Sequence, residues 1–268
     1  AEQETDLSKR RKLLEKAMEA IPDLLSRAEK SGISFAVGYA HHVVSKILTF
    51  QATIETDSEE RKRLLETALE HRNESIRYWE QQNPLVYWDR GLMRMYLARI
   101  KSELAKLAKG IESEKNVLQQ AAADQENGLK LCSQHLASQE RQGIISTALS
   151  ALSDWQREYG NLLKRLYGIT RNGEYLTKAI EAFEGSAESA RKLDLASRVA
   201  ESNWKIAQTY DALGKHLKAA ESFDLASNNY KTAAEKIPQL KALYQDLSLY
   251  MQAWSEIEKA RYHHAKQE

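Results

Sequence analysis

Residues 202–226 read SNWKIAQTYDALGKHLKAAESFDLA, and this stretch decides the fold. Apolar side chains recur at three- and four-residue steps on both sides of Gly214, which is the period of two amphipathic helices joined by a turn. Ala207, Ala219 and Ala226 supply small side chains where two helix backbones have to approach closely. The segment therefore predicts a helical hairpin.

The hairpin resembles a tetratricopeptide repeat, a helix–turn–helix unit of about 34 residues. The matching positions are, in order, Ala207, Tyr210, Gly214, Ala219, Phe223 and Ala226. The resemblance implies a right-handed superhelical stack of hairpins, an α-solenoid that binds a protein or peptide in a concave groove. The second helix continues through Tyr230 and Ala234 to Pro238, so the hairpin exceeds the family's unit. Longer-helixed relatives, such as SNAP-like adaptors, are equally compatible.

A weak repeat extends over the whole chain. Residues 13–19 (LLEKAME) return as residues 64–70 (LLETALE), each time after a cluster of Lys and Arg. The repeat is marked by alanines spaced 51, 53, 58 and 40 residues apart, namely Ala17, Ala68, Ala121, Ala179 and Ala219. This period fits two helices of about 20 to 25 residues with a short turn. We therefore predict an all-α fold of about five antiparallel hairpins, ten helices, in one domain over residues 1–268.

Composition predicts an all-helical chain independently of the motif. Only 11 Gly and 3 Pro occur in 268 residues, so helix breakers are scarce. Turns or helix starts are expected at Gly32, Asp57-Ser58, Asn83-Pro84, Gly110 and Gly173. Pro22 lies inside a helical pattern and should kink or divide the first helix near Ala20 and Ile21.

Three segments carry apolar stripes that we predict to be buried by neighbouring hairpins. The first stripe is Leu92, Met93, Tyr96, Ile100, Leu104 and Leu107. The second stripe is Leu149, Leu152, Trp155, Tyr159, Leu162 and Leu166. The third stripe is Leu240, Leu243, Leu247, Tyr250, Trp254 and Ile257.

Charge and hydropathy restrict the partners. Lys and Arg total 39 and Asp and Glu total 38, and the signs alternate along helix faces, which argues against wholesale DNA binding. No apolar run approaches the ~18 to 20 residues that a membrane span needs. The single cysteine, Cys132, allows no internal disulfide and fits a reducing cytoplasm. Because no initiator Met precedes the first helix, we expect a fragment of a larger protein, with a processed mature chain as the alternative.

A search for catalytic and cofactor motifs in the sequence assigns no catalytic, cofactor or metal-binding residue. The chain contains no phosphate-binding glycine loop, no HExxH and no CxxC. Its seven histidines are scattered, and no two of them lie at the i, i+4 spacing that brings two imidazoles to one metal. Cys132 would need a base supplied by the fold, so a buried helical cysteine is the simpler interpretation. We therefore expect a non-catalytic protein.

Two surfaces are candidates for partner binding. By the resemblance, Trp204, Gln208 and Asp211 project into the groove together with Glu201, and Trp204 is the expected anchor. The alternative, in which Trp204 packs against the preceding helix, stays open.

The second candidate surface is basic. Arg90, Arg94 and Lys101 fall at offsets of 4 and 7 residues on one helix face. Corresponding helices of other hairpins would add Lys46, Arg157 and Lys164. Such a surface would suit an acidic peptide, a phosphate group or a nucleotide signal. A solvated helix face is the alternative.

These observations leave three function classes. The first, which we favour, is a helical-repeat scaffold that recognises a protein segment in its groove. The second is a regulatory module of a larger signalling or defence protein that senses a small phosphorylated or nucleotide ligand. The third is an enzyme or nucleic-acid binder on an all-α scaffold, for which the sequence offers no constellation.

Overall fold

The computed structural model describes residues 6–80, 87–138 and 142–266, and all regular secondary structure in these ranges is helical. The chain divides into two compact units, residues 1–138 and residues 139–268. The all-α fold of successive packed helices predicted from the sequence is confirmed within each unit. The single domain over residues 1–268 stays a prediction.

Unit 1 contains six α-helices that pack largely in chain order. Their bounds are α1 Leu7–Glu19, α2 Ile21–Lys30, α3 Ser34–Ile54, α4 Ser58–Glu80, α5 Tyr87–Ala105 and α6 Ile111–Ala137. Helices α3 and α4 form one hairpin and α5 and α6 form the next, with α4 packed against α5. The short helices α1 and α2 lie against α3.

Unit 2 contains five α-helices and one turn of 3₁₀ helix. Their bounds are α7 Gln142–Thr170, α8 Glu174–Lys192, α9 Ala196–Ala212, α10 His216–Lys236, the 3₁₀ turn Pro238–Leu240 and α11 Lys241–Ala265. Helices α7 and α8 form one hairpin and α9 and α10 form another, and α11 packs along α10.

Four of the five marker alanines confirm the repeat that the sequence predicts, whereas Ala17 on α1 is only partly buried. Ala68, Ala121, Ala179 and Ala219 are each fully buried, and each lies on the second helix of its hairpin. A methyl side chain at these positions lets a neighbouring helix approach closely, so the same position recurs from one hairpin to the next. The described residues form four such hairpins, and the helix count is eleven rather than ten because Pro22 divides the first helix.

The predicted turns coincide with the observed helix ends. Gly32 and Gly214 adopt φ values of +65° and +67°, in the left-handed region where a side chain would strain the backbone. Asp57 accepts a hydrogen bond from the amide of Glu60 at 2.7 Å and so caps α4. Helix α2 begins at Ile21 directly after Ala20, with Pro22 as its second residue, so the first helix is divided as predicted. The predicted helix start at residues 83–84 lies outside the described residues.

The three predicted apolar stripes differ in outcome. All six members of the second stripe, on α7, are buried, so that prediction is confirmed. In the first stripe, on α5, Met93 and Ile100 are buried and the other members are partly buried. The third stripe was predicted wrongly, because Leu243, Tyr250 and Ile257 are 51%, 49% and 43% exposed.

The error on α11 has a specific physical cause. Helix α11 packs on α10 through a stripe shifted by one residue, about 100° around the helix. The buried members of this stripe are Ser248, Met251, Ser255 and Glu258, and Tyr244 at its start is partly buried. Several are polar, and they are accommodated by specific partners: Ser248 bonds Ser227 at 2.8 Å, and Glu258 bonds His216 at 2.7 Å. Hydrophobicity alone therefore pointed to the wrong face.

Two glycines allow a close helix crossing in unit 1. Gly91 on α5 and Gly128 on α6 face each other, and a Cβ atom on Gly128 would lie 2.5 Å from the Cγ atom of Met95 and 2.7 Å from the carbonyl oxygen of Gly91. The flexible side chain of Met95 could move to make room for this Cβ atom, but the backbone of α5 could do so only if the two helices separated. The α5–α6 hairpin therefore requires glycine at this point.

Replacing this glycine should destabilise the chain. We expect Gly128→Ala to lower the free energy of unfolding by about 1–3 kcal/mol, because the new methyl group overpacks the α5–α6 crossing. Chemical denaturation followed by circular dichroism measures the change. The adjacent, exposed Asn127→Ala is the matched control and should stay within about 0.5 kcal/mol of the parent chain. Equal effects of the two substitutions would contradict the close crossing.

Candidate binding surfaces

The predicted groove residues of unit 2 lie on α9 and already have contacts within the chain. The ring of Trp204 is partly buried and meets the ring of Tyr250 on α11 edge to face, with the centroids 6.3 Å apart. Asp211 accepts a hydrogen bond from Arg261 at 3.0 Å, and Gln208 is partly buried. Trp204 thus contacts α11, the second helix after its own, and its role as a partner anchor stays a prediction.

An exposed apolar flank runs along α11 beside Trp204. We use the term α11 flank for Leu243, Leu247, Tyr250, Trp254 and Ile257, which recur at alternating steps of four and three residues. Leu247 and Trp254 are partly buried against the core of unit 2, whereas the other three side chains are about half exposed. The flank is therefore anchored at two positions and open to solvent at three.

A polar clasp joins the α9–α10 turn to α11. Glu258 is fully buried, and it accepts hydrogen bonds from the Nδ1 of His216 at 2.7 Å and from Arg261 at 2.8 Å. Asp211, His216 and Glu258 each offer one possible metal-ligand atom, and these three atoms lie within 4.8 Å of one another, which is a geometry that can hold a metal ion. The guanidinium of Arg261 already supplies a positive charge between the two carboxylates, so we interpret the cluster as a structural clasp.

The clasp was missed at the sequence level because its members are far apart in the chain. His216 and Glu258 are separated by 42 residues, and neither belongs to a short motif. The signal that could have found it is a glutamate within an otherwise apolar and small-residue helix face, since a buried carboxylate requires a cationic or donor partner.

The predicted basic face of α5 is largely neutralised by neighbouring helices. Lys101 bonds Asp124 on α6 at 2.6 Å. Arg94 pairs with Glu80 on α4 and approaches Asp124 at 3.9 Å. The Nε atom of Arg90 is buried and has no hydrogen-bond partner among the described residues. These three residues thus lie on one side of α5, as the spacing predicts, but two of their charges are balanced within unit 1.

The additional basic residues lie in different surroundings. In unit 2, Arg157 bonds Glu201 at 2.7 Å, and burial lowers the pKa of Lys164, with the nearby charge of Lys205 acting in the same direction. In unit 1, Lys46 lies on α3 beside the ring of Tyr96 on α5. Of these three residues, only Lys46 lies in the same unit as α5.

A buried arginine in unit 1 was not predicted from the sequence. Arg72 on α4 is 1% exposed, and its Nη1 donates to the Nδ1 of His42 on α3 and to the sulfur of Met93 on α5. Burial, followed by the positive charges of Arg72 and Lys46, lowers the pKa of His42 to about 3. His42 is therefore a neutral acceptor, and the arginine carries the charge.

Cys132 is a structural cysteine, as the sequence predicts. Its side chain is fully buried, and its thiol donates to the carbonyl oxygen of Trp88 at 3.5 Å. Burial, followed by the negative charge of Asp89, raises the pKa of the thiol to about 12. Because the thiolate is the nucleophilic form, this cysteine is chemically inert at neutral pH.

A shallow depression of about 420 Å³ lies where α10 ends and α11 begins. Its lining residues are Lys231, Ala234, Glu235, Pro238, Lys241 and Gln245, of which all but Ala234 are exposed. A ligand here would leave much of its surface in water, so we assign no function to this depression.

No family model and no curated protein matches the chain. Among solved structures, the chain is similar to BtubC (BKLC) from P. vanneervenii, with 16% identity, coverage of 97% of this chain and 93% of that chain, and a TM-score of 0.45. It is similar to the DHF58 filament protein, with 14% identity, coverage of 87% and 97%, and a TM-score of 0.41. It is also similar to the designed helical repeat protein DHR64, with 16% identity, coverage of 98% and 100%, and a TM-score of 0.26.

Because these TM-scores are all below 0.5, the conclusions about the fold rest on the helices of this chain itself. Among the described helices, none combines the length and the apolar character that crossing a bilayer would require.

The clasp should contribute measurably to stability. We expect Arg261→Met to lower the free energy of unfolding by about 1–3 kcal/mol, because the buried Glu258 loses a charged donor. The matched control is Lys259→Met on the same helix, whose ion pairs with Asp224 and Glu256 are exposed, and it should cost less than about 0.5 kcal/mol. Equal losses in a urea titration would show that the clasp is no stronger than a surface ion pair.

The neutral His42 should make stability depend on pH. The unfolded chain takes up a proton on this imidazole below about pH 6.5, whereas the folded chain does so only near pH 3. Stability is therefore lost as the pH falls from about 6.5, by up to ~1.4 kcal/mol per pH unit for this proton.

We expect His42→Gln to reduce the loss of stability between about pH 7 and pH 5 by about 1–2 kcal/mol. Urea titrations at each pH measure the free energy of unfolding. The parent chain and the variant contain the same carboxylates, so the contribution of these groups to the pH dependence cancels in the comparison. His263→Gln, which removes an exposed imidazole, is the control. Parallel pH profiles for parent and His42→Gln would contradict a neutral buried imidazole.

Proposed function

We propose that this chain is a non-catalytic, tetratricopeptide-repeat-like scaffold that binds an amphipathic α-helix of another protein along the α11 flank. The observation that carries the proposal is the exposed apolar surface of α11. Leu243, Tyr250 and Ile257 each leave between 43% and 51% of their surface in water, although they lie on an ordered helix packed on α10. A contiguous apolar strip of this kind marks an interaction site.

The spacing of the flank favours a helical occupant. Steps of four and three residues place the side chains in a line about 21 Å long between Leu243 and Ile257, and a partner helix with the same repeat can interlock with them. An extended peptide gains affinity from backbone hydrogen bonds to a sheet edge, and a helix surface offers no such edge. A helix that buries its own apolar stripe is therefore the best complement.

The α11 flank also provides aromatic anchors. Tyr250 stacks edge to face with Trp204 on α9 and with Trp254 on α11 itself, both at 6.3 Å. Aromatic side chains that are already held in place lose little freedom on binding and are enriched among strongly contributing interface residues. In the tetratricopeptide resemblance, the first helix of each hairpin lines the groove, and α9 holds that position here.

The chemistry of the described side chains supports the remaining parts of the proposal. The thiol of Cys132 is protonated and buried, and the Asp211–His216–Glu258 cluster is held by Arg261, so neither supplies a reactive group. A cytoplasmic location belongs to the same proposal and is supported by the single, buried cysteine, which has no second cysteine in the chain to pair with.

The test places a photo-cross-linking amino acid at position 250 or, as the control, at position 249 of the same helix. Leu249 is 63% exposed and lies outside the α11 flank. We expect the residue at position 250 to cross-link a partner segment with apolar residues at three- and four-residue steps. A synthetic peptide of that segment should become helical on binding, as measured by circular dichroism.

Charge substitutions then assign the contact. Leu243→Asp should weaken the peptide at least about tenfold, which is ~1.4 kcal/mol, whereas Leu249→Asp should leave its affinity within about twofold. Truncation of Trp204 is less informative, because this ring also packs against the core of unit 2. Equal effects of the two leucine substitutions would overturn the proposal. Cross-links to a second copy of the chain would instead identify the flank as a self-association surface.

A further inference from the structure

Two histidines of unit 1 face each other across the α3–α4 hairpin. The Nδ1 atoms of His41 on α3 and His71 on α4 lie 2.8 Å apart. The ring centroids are 5.0 Å apart, so both nitrogen atoms lie between the rings and point towards each other. In this arrangement the Nδ1–H of one ring donates to the Nδ1 of the other. The fold thus joins two imidazoles that are 30 residues apart in the chain.

The same two nitrogen atoms can hold a metal ion in place of the shared proton. Zn²⁺ binds imidazole nitrogen at about 2.0–2.1 Å in tetrahedral geometry, which places two such nitrogens about 3.3 Å apart. The present separation reaches that value when the rings move apart by about half an ångström. The donor ring then carries its proton on Nε2 instead of Nδ1, so both rings stay neutral and the two imidazoles release no proton.

A carboxylate lies one helical turn from His71. Glu74 follows His71 by three residues on α4, a spacing that places two side chains next to each other on one helix face. Burial lowers the pKa of both imidazoles, and the negative charge of Glu74 acts on both pKa values in the opposite direction, so this carboxylate lies near both rings. Its ion pair with Arg77, at 2.7 Å, is exposed and therefore weak. Glu74 can exchange this ion pair for a metal ion at little cost.

The three side chains are accessible and their surroundings hold them in place. His41, His71 and Glu74 are each partly exposed, which gives an ion a path from solvent. The ring of Tyr78 stacks on that of His41, with the centroids 6.1 Å apart and the planes 17° apart. Neighbouring groups that fix the orientation of a ligand ring increase its affinity for a metal. The imidazole of His41 is therefore oriented before an ion arrives.

The clasp of unit 2 differs from this histidine pair in the charge that it already holds. Arg261 donates to both Asp211 and Glu258, so a positive charge lies between those carboxylates. Within the described ranges of the chain, the hydrogen bond that involves His41 or His71 is the one between the two rings. An ion therefore has to displace only one neutral hydrogen bond between His41 and His71.

We propose that His41, His71 and Glu74 bind a divalent transition-metal ion such as Zn²⁺, with water completing the coordination. Imidazole nitrogen suits Zn²⁺, Ni²⁺ and Cu²⁺, whereas Mg²⁺ and Ca²⁺ prefer oxygen ligands. The bound ion links α3 to α4 and stabilises the folded hairpin. This site lies in unit 1 and is independent of the α11 flank of unit 2.

The test titrates the full chain, stripped of metal by a chelator, with Zn²⁺, and Mg²⁺ is the control ion. We expect Zn²⁺ and not Mg²⁺ to raise the melting temperature in a saturable manner, because the ion binds the folded state. Competition with a zinc-binding dye measures the affinity. Cu²⁺ should bind more tightly than Zn²⁺, as it does at most nitrogen sites.

Single substitutions locate the ion. His41→Gln, His71→Gln and Glu74→Gln should each weaken Zn²⁺ binding at least about tenfold, because each removes a ligand. The matched control is Glu70→Gln on the same helix. The charge of Glu70 also acts on His71, but adjacent helical side chains point about 100° apart, so this change should alter the affinity less than about twofold. The melting temperature of each variant without metal separates loss of binding from loss of folding.

A second control distinguishes this site from the clasp. His216→Gln, in unit 2, should leave the Zn²⁺ affinity within about twofold of the parent chain. Loss of binding in His216→Gln would place the ion at the clasp and overturn the proposal. Unchanged affinity in both His41→Gln and His71→Gln, or equal stabilisation by Zn²⁺ and Mg²⁺, would also overturn it. Unchanged affinity in Glu74→Gln would refute the assignment of Glu74 as the third ligand.

Discussion

The close approach of helix backbones is the constraint on which the rest of this structure depends. At the α5–α6 crossing, the faces of Gly91 and Gly128 leave no room for a Cβ atom, and in the other hairpins a fully buried alanine such as Ala179 or Ala219 occupies the contact. Short interaxial distances bring many atoms into van der Waals contact, so small side chains here contribute stability through packing rather than through their own apolar area.

Close packing also explains why buried polar groups recur between the helices. In unit 2, Ser153 on α7 and Ser186 on α8 exchange hydrogen bonds with each other's carbonyl oxygens at 3.0 and 2.8 Å, and Ser186 bonds Ser202 on α9 at 3.1 Å. A serine is nearly as small as an alanine, so it also allows two helices to approach closely. When its hydroxyl is hydrogen-bonded, the bond also fixes the relative position of the two helices. Large charged groups such as Arg72 and Glu258 are held by the same rigid helices, so their positions are fixed.

The sequence predicted those features that depend on local chemistry. Gly214 and Pro22 ended helices where expected, because their backbone restrictions act within a few residues. The buried face of α11 was predicted wrongly, since its polar members are stabilised by partners such as His216, 42 residues from Glu258. The burial of Arg72 was not predicted for the same reason: Arg72 and Met93 lie on different helices, and only the packing of α4 against α5 brings them together.

The basic stripe of α5 and the buried Arg72 show why the spacing of charges along one helix does not predict a binding site. Lys101 and Arg94 fall at regular spacing, but Asp124 on the adjacent helix balances their charge. Arg72 belongs to no stripe, and the neighbouring helices offer it an imidazole, a thioether and an aromatic ring. The electrostatic potential at a helix surface depends on the charges of the helix packed against it. Those charges lie only a few ångströms away, where Coulomb interactions are strong. The charge of a helix face therefore has to be judged together with the helix that packs against it.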